Sequence, residues 1–330
     1  MRSRGREWAR SRGKRWNRER GGDETVSAGE REAVGPGASV SAAEAVPPRA
    51  RVAGGVIAGV VCVSFAAIFI RAAGAPALST AAWRLIVAGT PLGVGAMFLR
   101  RQELAALTGK QWTMALAAGM ALALHFGTWI ASLELTSVAS SVALVTTQPV
   151  WVAILSRIFL REPISARLAA GIALALTGAT LIGGADLSLA GNALPGDALA
   201  LAGAVFAAAY FVLGRGARAK LTLLAYVGVV YPAAAVALVL AAAVARQPLA
   251  GFAPKTWLFL ALLGLVPQLC GHSLLNWALR YLPAPRVSLA ILGEPVMATL
   301  LAMAILGETP GPLTVLGAAV TLSGIYLAST

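Results

Sequence analysis

Ten apolar stretches of about 18–24 residues, punctuated by Gly, Pro and charge, fill almost all of the chain after residue 52. They lie near 53–71, 78–99, 112–132, 138–160, 166–184, 197–214, 222–245, 257–279, 287–306 and 312–329. About 20 helical residues cross a bilayer core, and hydrocarbon leaves no backbone polar group an outside partner. The expected fold is therefore an all-α integral membrane protein with ten transmembrane helices. Composition agrees: 12% of residues are charged, against roughly 25% in a soluble domain. The connecting segments are too short to hold a soluble domain.

The chain also repeats itself. At an offset of 146 residues Pro149 falls on Pro295, Val150 on Val296, Leu160 on Leu306 and Glu162 on Glu308. The same offset carries Gly171 to Gly317 and Gly178 to Gly324, with no gap from Leu133/Leu279 onward. Earlier the register slips by one, pairing Trp112 with Trp257 and His125 with His272. Two five-helix halves follow, residues 52–184 and 197–329. Five is odd, so the second half should cross the membrane in the opposite sense.

Charge supports that inversion. With the N-terminus in the cytoplasm, 11 of the 15 Lys/Arg after residue 51 fall at cytoplasmic helix ends. Only Arg71, Arg84, Arg246 and Lys255 lie at or near the outer face, as the positive-inside rule requires. Arg157, Arg161 and Arg167 flank the connection after helix 4, whereas its counterpart after helix 9, Gly307 to Pro312, has no basic residue. Both termini are expected in the cytoplasm. Residues 1–51 hold 12 Lys/Arg and 7 Asp/Glu with few large apolar side chains, a composition read as a disordered basic tail. Its charge, with Trp8 and Trp16 among the first basic residues, suits an orientation signal, a mis-chosen start codon or contact with anionic lipid.

Within the ninth stretch a carboxylate, Glu294, directly precedes Pro295. A mid-membrane acid costs about 2.5–3.5 kcal/mol on insertion scales, so it should face protein or a wet cavity. Proline also removes a helix hydrogen bond at the same depth. The matching Gln148–Pro149 pair makes Pro149 and Pro295 candidate helix discontinuities. In helix 8 Gln268, His272 and Asn276 are spaced four apart behind Pro267, a polar stripe on one helical face. Helix 3 carries His125, Thr128, Trp129 and Ser132, helix 4 adds Trp151, and helix 6 adds Phe206 and Tyr210. Candidate substrate-binding residues are thus His125, Trp129, Gln148, Trp151, Tyr210, Gln268, His272, Asn276 and Glu294. Aromatic and sparse polar groups together suit a partly apolar organic solute. Each polar residue could instead tie helices together. Arg84 is expected in structural pairing, with a substrate carboxylate or outward snorkelling as alternatives. Glu162 and Glu308 read as caps of helices 5 and 10. The glycine pairs Gly55/Gly59, Gly171/Gly178 and Gly317/Gly324 read as close helix packing.

Several function classes lose support. No glycine-rich loop ends in Gly-Lys-Ser or Gly-Lys-Thr, which argues against ATP hydrolysis. No His/Cys/carboxylate set has metal-ligand spacing, and Cys62 and Cys270 read as small core residues. No metal, cofactor or catalytic residue is expected. A membrane-embedded enzyme would need a nucleophile with a base beside it, and the only histidines are His125 and His272.

The run LGEPVMATLLAMAILGE with LGAAVTLSGIYL after it resembles the second half of the EamA-like proteins. So do its weaker copy TTQPVWVAILSRIFLREPISARLAAGIALALTG and the early Trp83-Arg84-Leu85. These belong to the ten-helix exporter branch of the drug/metabolite transporter superfamily, and the resemblance covers about residues 53–329. It implies two inverted five-helix bundles around a central cavity, working by alternating access in the bacterial inner membrane. Family cargoes include amino acids, other metabolites and toxic compounds. The chain departs from its own symmetry where Gln148 stands opposite Glu294. The expectation is a secondary transporter, an exporter of a small metabolite or drug-like solute, with Glu294 as the proton-coupling candidate. An uncoupled facilitator of amino acids or related metabolites is the alternative. Expected partners are the small-molecule substrate and the lipid bilayer, with no nucleic acid, in a monomer or homodimer.

Overall fold

In hydrocarbon an apolar run can pair its own N–H and C=O groups only as a helix. The computed structural model is correspondingly helical, with no strand among the residues it describes, 47–136, 138–183, 194–306 and 309–329. Among the described residues eight helices are long and apolar enough to cross a membrane. They are α1 (Arg49–Ala73), α2 (Ala77–Leu99), α3 (Gly109–Leu135), α4 (Ser140–Leu160), α6 (Leu194–Arg218), α7 (Leu223–Val244), α8 (Pro254–Ala278) and α9 (Ala284–Leu301). Two further apolar helices, α5 (Ala166–Gly183) and α10 (Pro312–Ser329), complete the set but are shorter in their apolar extent. The first helix starts behind Pro48, so Arg49 to Arg51 are helical rather than part of the basic tail. The rest of that tail to residue 46, with Trp8 and Trp16, and Glu308 lie outside the described residues.

The main contacts between helices are unchanged when each helix is exchanged for the one five places on. Three pairs map onto themselves: α2 with α7, α4 with α9, and α5 with α10. The others exchange, α3–α6 with α8–α1, α3–α7 with α8–α2, and α4–α6 with α9–α1. The self-paired helices show the sense of the symmetry. A Cβ at Gly171 would meet Gly324, and one at Gly178 would meet Gly317. Since Gly171 matches Gly317 and Gly178 matches Gly324, equivalent helices pack antiparallel about a two-fold axis. Thr321 donates to the carbonyl of its own counterpart, Ala175, at 3.5 Å. Gly89 against Pro232 and Gly228 against Ala96 set α2 and α7 antiparallel in the same way. Missing side chains let these backbones touch.

The same symmetry governs the breaks. The helix ending at Val145 is separated from the next, starting at Gln148, by Thr146 and Thr147. The helix ending at Ile291 is separated from the one starting at Glu294 by Leu292 and Gly293. Both breaks sit at matched positions, one residue before Pro149 and Pro295, where proline cannot donate to the carbonyl four residues back. Two π-helical stretches add to these breaks, Ser156–Leu160 at the end of α4 and Gly264–His272 in α8, around Pro267.

Two sequence expectations change and one alternative falls away. Cys270 is exposed and Cys62 half-buried, so neither is a core residue, because the π-turn carries Cys270 to the outside of the bundle. Glu162 does not cap α5; Ser165 accepts from Leu168 N there at 3.1 Å. Glu162 instead receives Arg215 Nε at 2.9 Å, an ion pair between the two halves. Arg84 does not snorkel outward: it is 1% exposed.

Candidate functional site

Both helix breaks open onto one cavity between the halves. Thr146, Gln148 and Pro149 line it from the first break, and Ile291, Leu292 and Glu294 from the second. A half-helix that starts inside a membrane presents unpaired N–H groups, and its irregular backbone is tolerable only beside protein or water. Gln148 closes the gap between the breaks by donating from Nε2 to Ser288 Oγ at 3.2 Å.

The remaining wall comes from α1, α2, α3, α6 and α8. Arg84 projects from α2, donates from Nε to Gln268 Oε1 at 2.8 Å, and holds its guanidinium carbon 3.9 Å from the centre of the Phe126 ring. On α3, His125 Nδ1 lies 2.9 Å from the Gly203 carbonyl. A carbonyl only accepts, so that nitrogen carries the proton and the other is left to face elsewhere. The His125 ring stacks on Trp129 at 6.0 Å, and Phe126 stands edge-on to His272 at 5.4 Å. Asn276 Nδ2 shares its two N–H groups among three acceptors within reach, the Tyr210 hydroxyl, Tyr231 Oη at 3.2 Å and the His272 carbonyl at 2.8 Å.

Of the residues singled out in the sequence, His125, Trp129, Gln148, Tyr210, His272 and Glu294 line the cavity. Gln268 and Asn276 stand one layer behind, under Arg84 and under Tyr210. Trp151 turns aside and donates to Thr147 Oγ1 at 3.2 Å. The expected polar stripe on α8 is split because the π-turn replaces the four-residue step with a five-residue one. Phe126, Thr146 and Ser288 line the cavity although nothing in the sequence placed them there, and Arg84, for which a substrate carboxylate was one alternative, lines it too. A lone arginine two turns inside an apolar helix was the signal for Arg84; Phe126 gives none, being one aromatic among many.

The cavity's free volume is about 60 Å³, room for a few waters, where an organic-ligand pocket is roughly 300–1,000 Å³. A larger hollow of about 580 Å³ lies between α2, α3 and α7. Its lining, including Met97, Trp112, Leu116 and Pro232, carries no charged group to orient a solute. Three buried polar atoms around the smaller cavity lack a hydrogen-bond partner among the described residues: Arg84 Nη1, Trp129 Nε1 and His272 Nδ1. Such orphans are rare in the interior of proteins. Among the described residues no group of three His, Cys, Asp or Glu could hold a metal ion.

The family model described as "EamA-like transporter family" matches residues 52–184 and 194–330. A solved structure described as "Crystal structure of protein" is 18% identical, covering 84% of this chain and 97% of its own, with a TM-score of 0.72. That likeness is one of fold. No curated protein sequence matches significantly.

Proposed function

The chain belongs to the EamA-like transporter family, and from that premise we propose that it is a secondary carrier of a small, partly apolar organic solute, working by alternating access. The carrying observation is a polar and aromatic cavity framed by two symmetry-related helix breaks. In this reading all ten helices cross the bilayer, five per repeat, with both termini on the basic, cytoplasmic side of a bacterial inner membrane. A space of about 60 Å³ is too small for such a cargo, which enters as the two repeats part at one end.

Glu294 is the coupling group in this proposal. It is the only carboxylate on the cavity wall among the described residues and heads the second half-helix of α9. If it takes a proton from one side and yields it to the other, an inward proton gradient drives the solute outward, giving net export. A solute-library thermal-shift screen on the purified protein identifies the cargo, since a ligand bound to the native state raises the melting point. In proteoliposomes loaded with that cargo, Glu294→Gln is expected to abolish flux driven by a pH difference while binding stays measurable. Undiminished pH-driven flux in the variant refutes coupling through this residue and favours an uncoupled facilitator.

A further inference from the structure

Arg84 is the one permanent cation on the cavity wall among the described residues, and no carboxylate there pairs with it at contact distance. Its Nε is used by Gln268 and its face by Phe126, while Nη1 is buried without a partner. Glu294 faces the same cavity, yet no ion pair within 4.0 Å joins the two among the described residues. Trp129 adds a second orphaned donor, its indole N–H, from α3. Glu294 offsets the Arg84 charge only at longer range than a direct ion pair. A buried charge without a close partner is unfavourable, and Arg84 has not escaped by snorkelling, being 1% exposed. Gln268 and Phe126 hold the guanidinium by one edge and one face, which leaves the opposite edge for a ligand.

We propose that Arg84 anchors a carboxylate group of the cargo, with the Trp129 indole N–H as a second donor and Gln268 as the positioning residue. A guanidinium edge presents parallel N–H groups at the spacing of two carboxylate oxygens, and charge-assisted bonds of this kind are the strong ones. The cargo class is then an organic carboxylate whose apolar body lies among Phe126, Trp129 and Phe211. A plain carboxylic acid and an amino acid both carry that group; in the second, Glu294 would receive the ammonium. This inference rests on the carrier reading only for taking the cavity as the cargo site.

The test uses four matched probes, hexanoate, 2-aminohexanoate, hexanamide and hexylamine, with the purified full-length protein for binding and proteoliposomes for counterflow. One or both carboxylates should bind at least tenfold more tightly than the amide and the amine. Arg84→Gln should remove that advantage. Gln268→Glu should remove it too, by setting an internal carboxylate against Arg84 Nε, and it serves where Arg84→Gln does not fold. Preference between the two carboxylates distinguishes plain acids from zwitterions. The proposal is overturned if neither carboxylate binds, if the amide matches them, or if both variants hold the acids within threefold of wild type. Counterflow of amine or amide without acid would overturn the anchor and leave the carrier reading standing. Arg84-dependent acid binding with no flux of any probe would leave the anchor and remove the carrier reading.

Discussion

Asn276 shows how a single side chain supports the cavity without touching it. Its amide reaches Tyr210, Tyr231 and the His272 carbonyl from a position 1% exposed. Bonds between membrane helices average about 0.6 kcal/mol each, and orphaning a buried group costs about 1–3 kcal/mol. Asn276→Leu removes two interhelical bonds and leaves two phenols with one partner fewer. It is expected to destabilise the protein by about 1–3 kcal/mol, read as a lower apparent Tm in detergent, and to weaken cargo binding because Tyr210 lines the cavity. A variant with unchanged Tm and affinity would mean that water replaces the amide. The importance of Asn276 was legible in the sequence as a polar residue in an apolar helix. Its role was not, because spacing names a helical face but not the partners, Tyr210 and Tyr231, that other helices bring to it.

Elements divide in the same way between what local chemistry dictates and what only packing decides. The breaks of α4 and α9 were readable at Pro149 and Pro295, since a proline's missing donor is a local fact and the 146-residue offset made two weak signals one. The antiparallel contact of α5 with α10 was foreshadowed only as small-residue faces, because glycine spacing does not name the partner helix. Packing makes these glycines unequal. A Cβ at Gly178 would come within 3.0 Å of the Thr321 backbone and the Gly317 carbonyl, atoms that cannot rotate away. A Cβ on the exposed Gly54 of α1 meets nothing within 4 Å. Gly178→Ala is therefore expected to destabilise by about 1–3 kcal/mol through overpacking. Gly54→Ala should raise stability by up to about 1 kcal/mol through helix propensity. Thermal unfolding of the pair checks the contrast: equal effects would show that α5 and α10 do not approach this closely.

At the scale of the whole molecule, both ends of the bundle are tied between its halves. At the end carrying the 4–5 connection, Arg215, held within its own half by the Leu279 and Arg280 carbonyls at 2.7 and 3.0 Å, pairs across the halves with Glu162, and Thr222 donates to Glu103. At the other end Thr136 donates to Asp197 at 2.7 Å, and Trp83 Nε1 donates to the Leu249 carbonyl at 2.9 Å. Alternating access requires one set to break while the other holds. The Glu162–Arg215 pair is part-exposed, with side chains 13% and 26% accessible, so its worth is discounted to about 0–1 kcal/mol. Losing about 1 kcal/mol shifts a two-state ratio roughly fivefold. Glu162→Gln should therefore raise, by up to about fivefold, the rate at which an impermeant maleimide applied from the 4–5 loop side labels Ser288→Cys in a protein lacking Cys62 and Cys270. Labelling from the opposite side should fall, because a population moved toward one opening is taken from the other. If labelling rose equally from both sides, the substitution would have loosened the bundle rather than released a gate. If it changed from neither, the closure at that end would be carried by the Thr222 bonds to Glu103 instead.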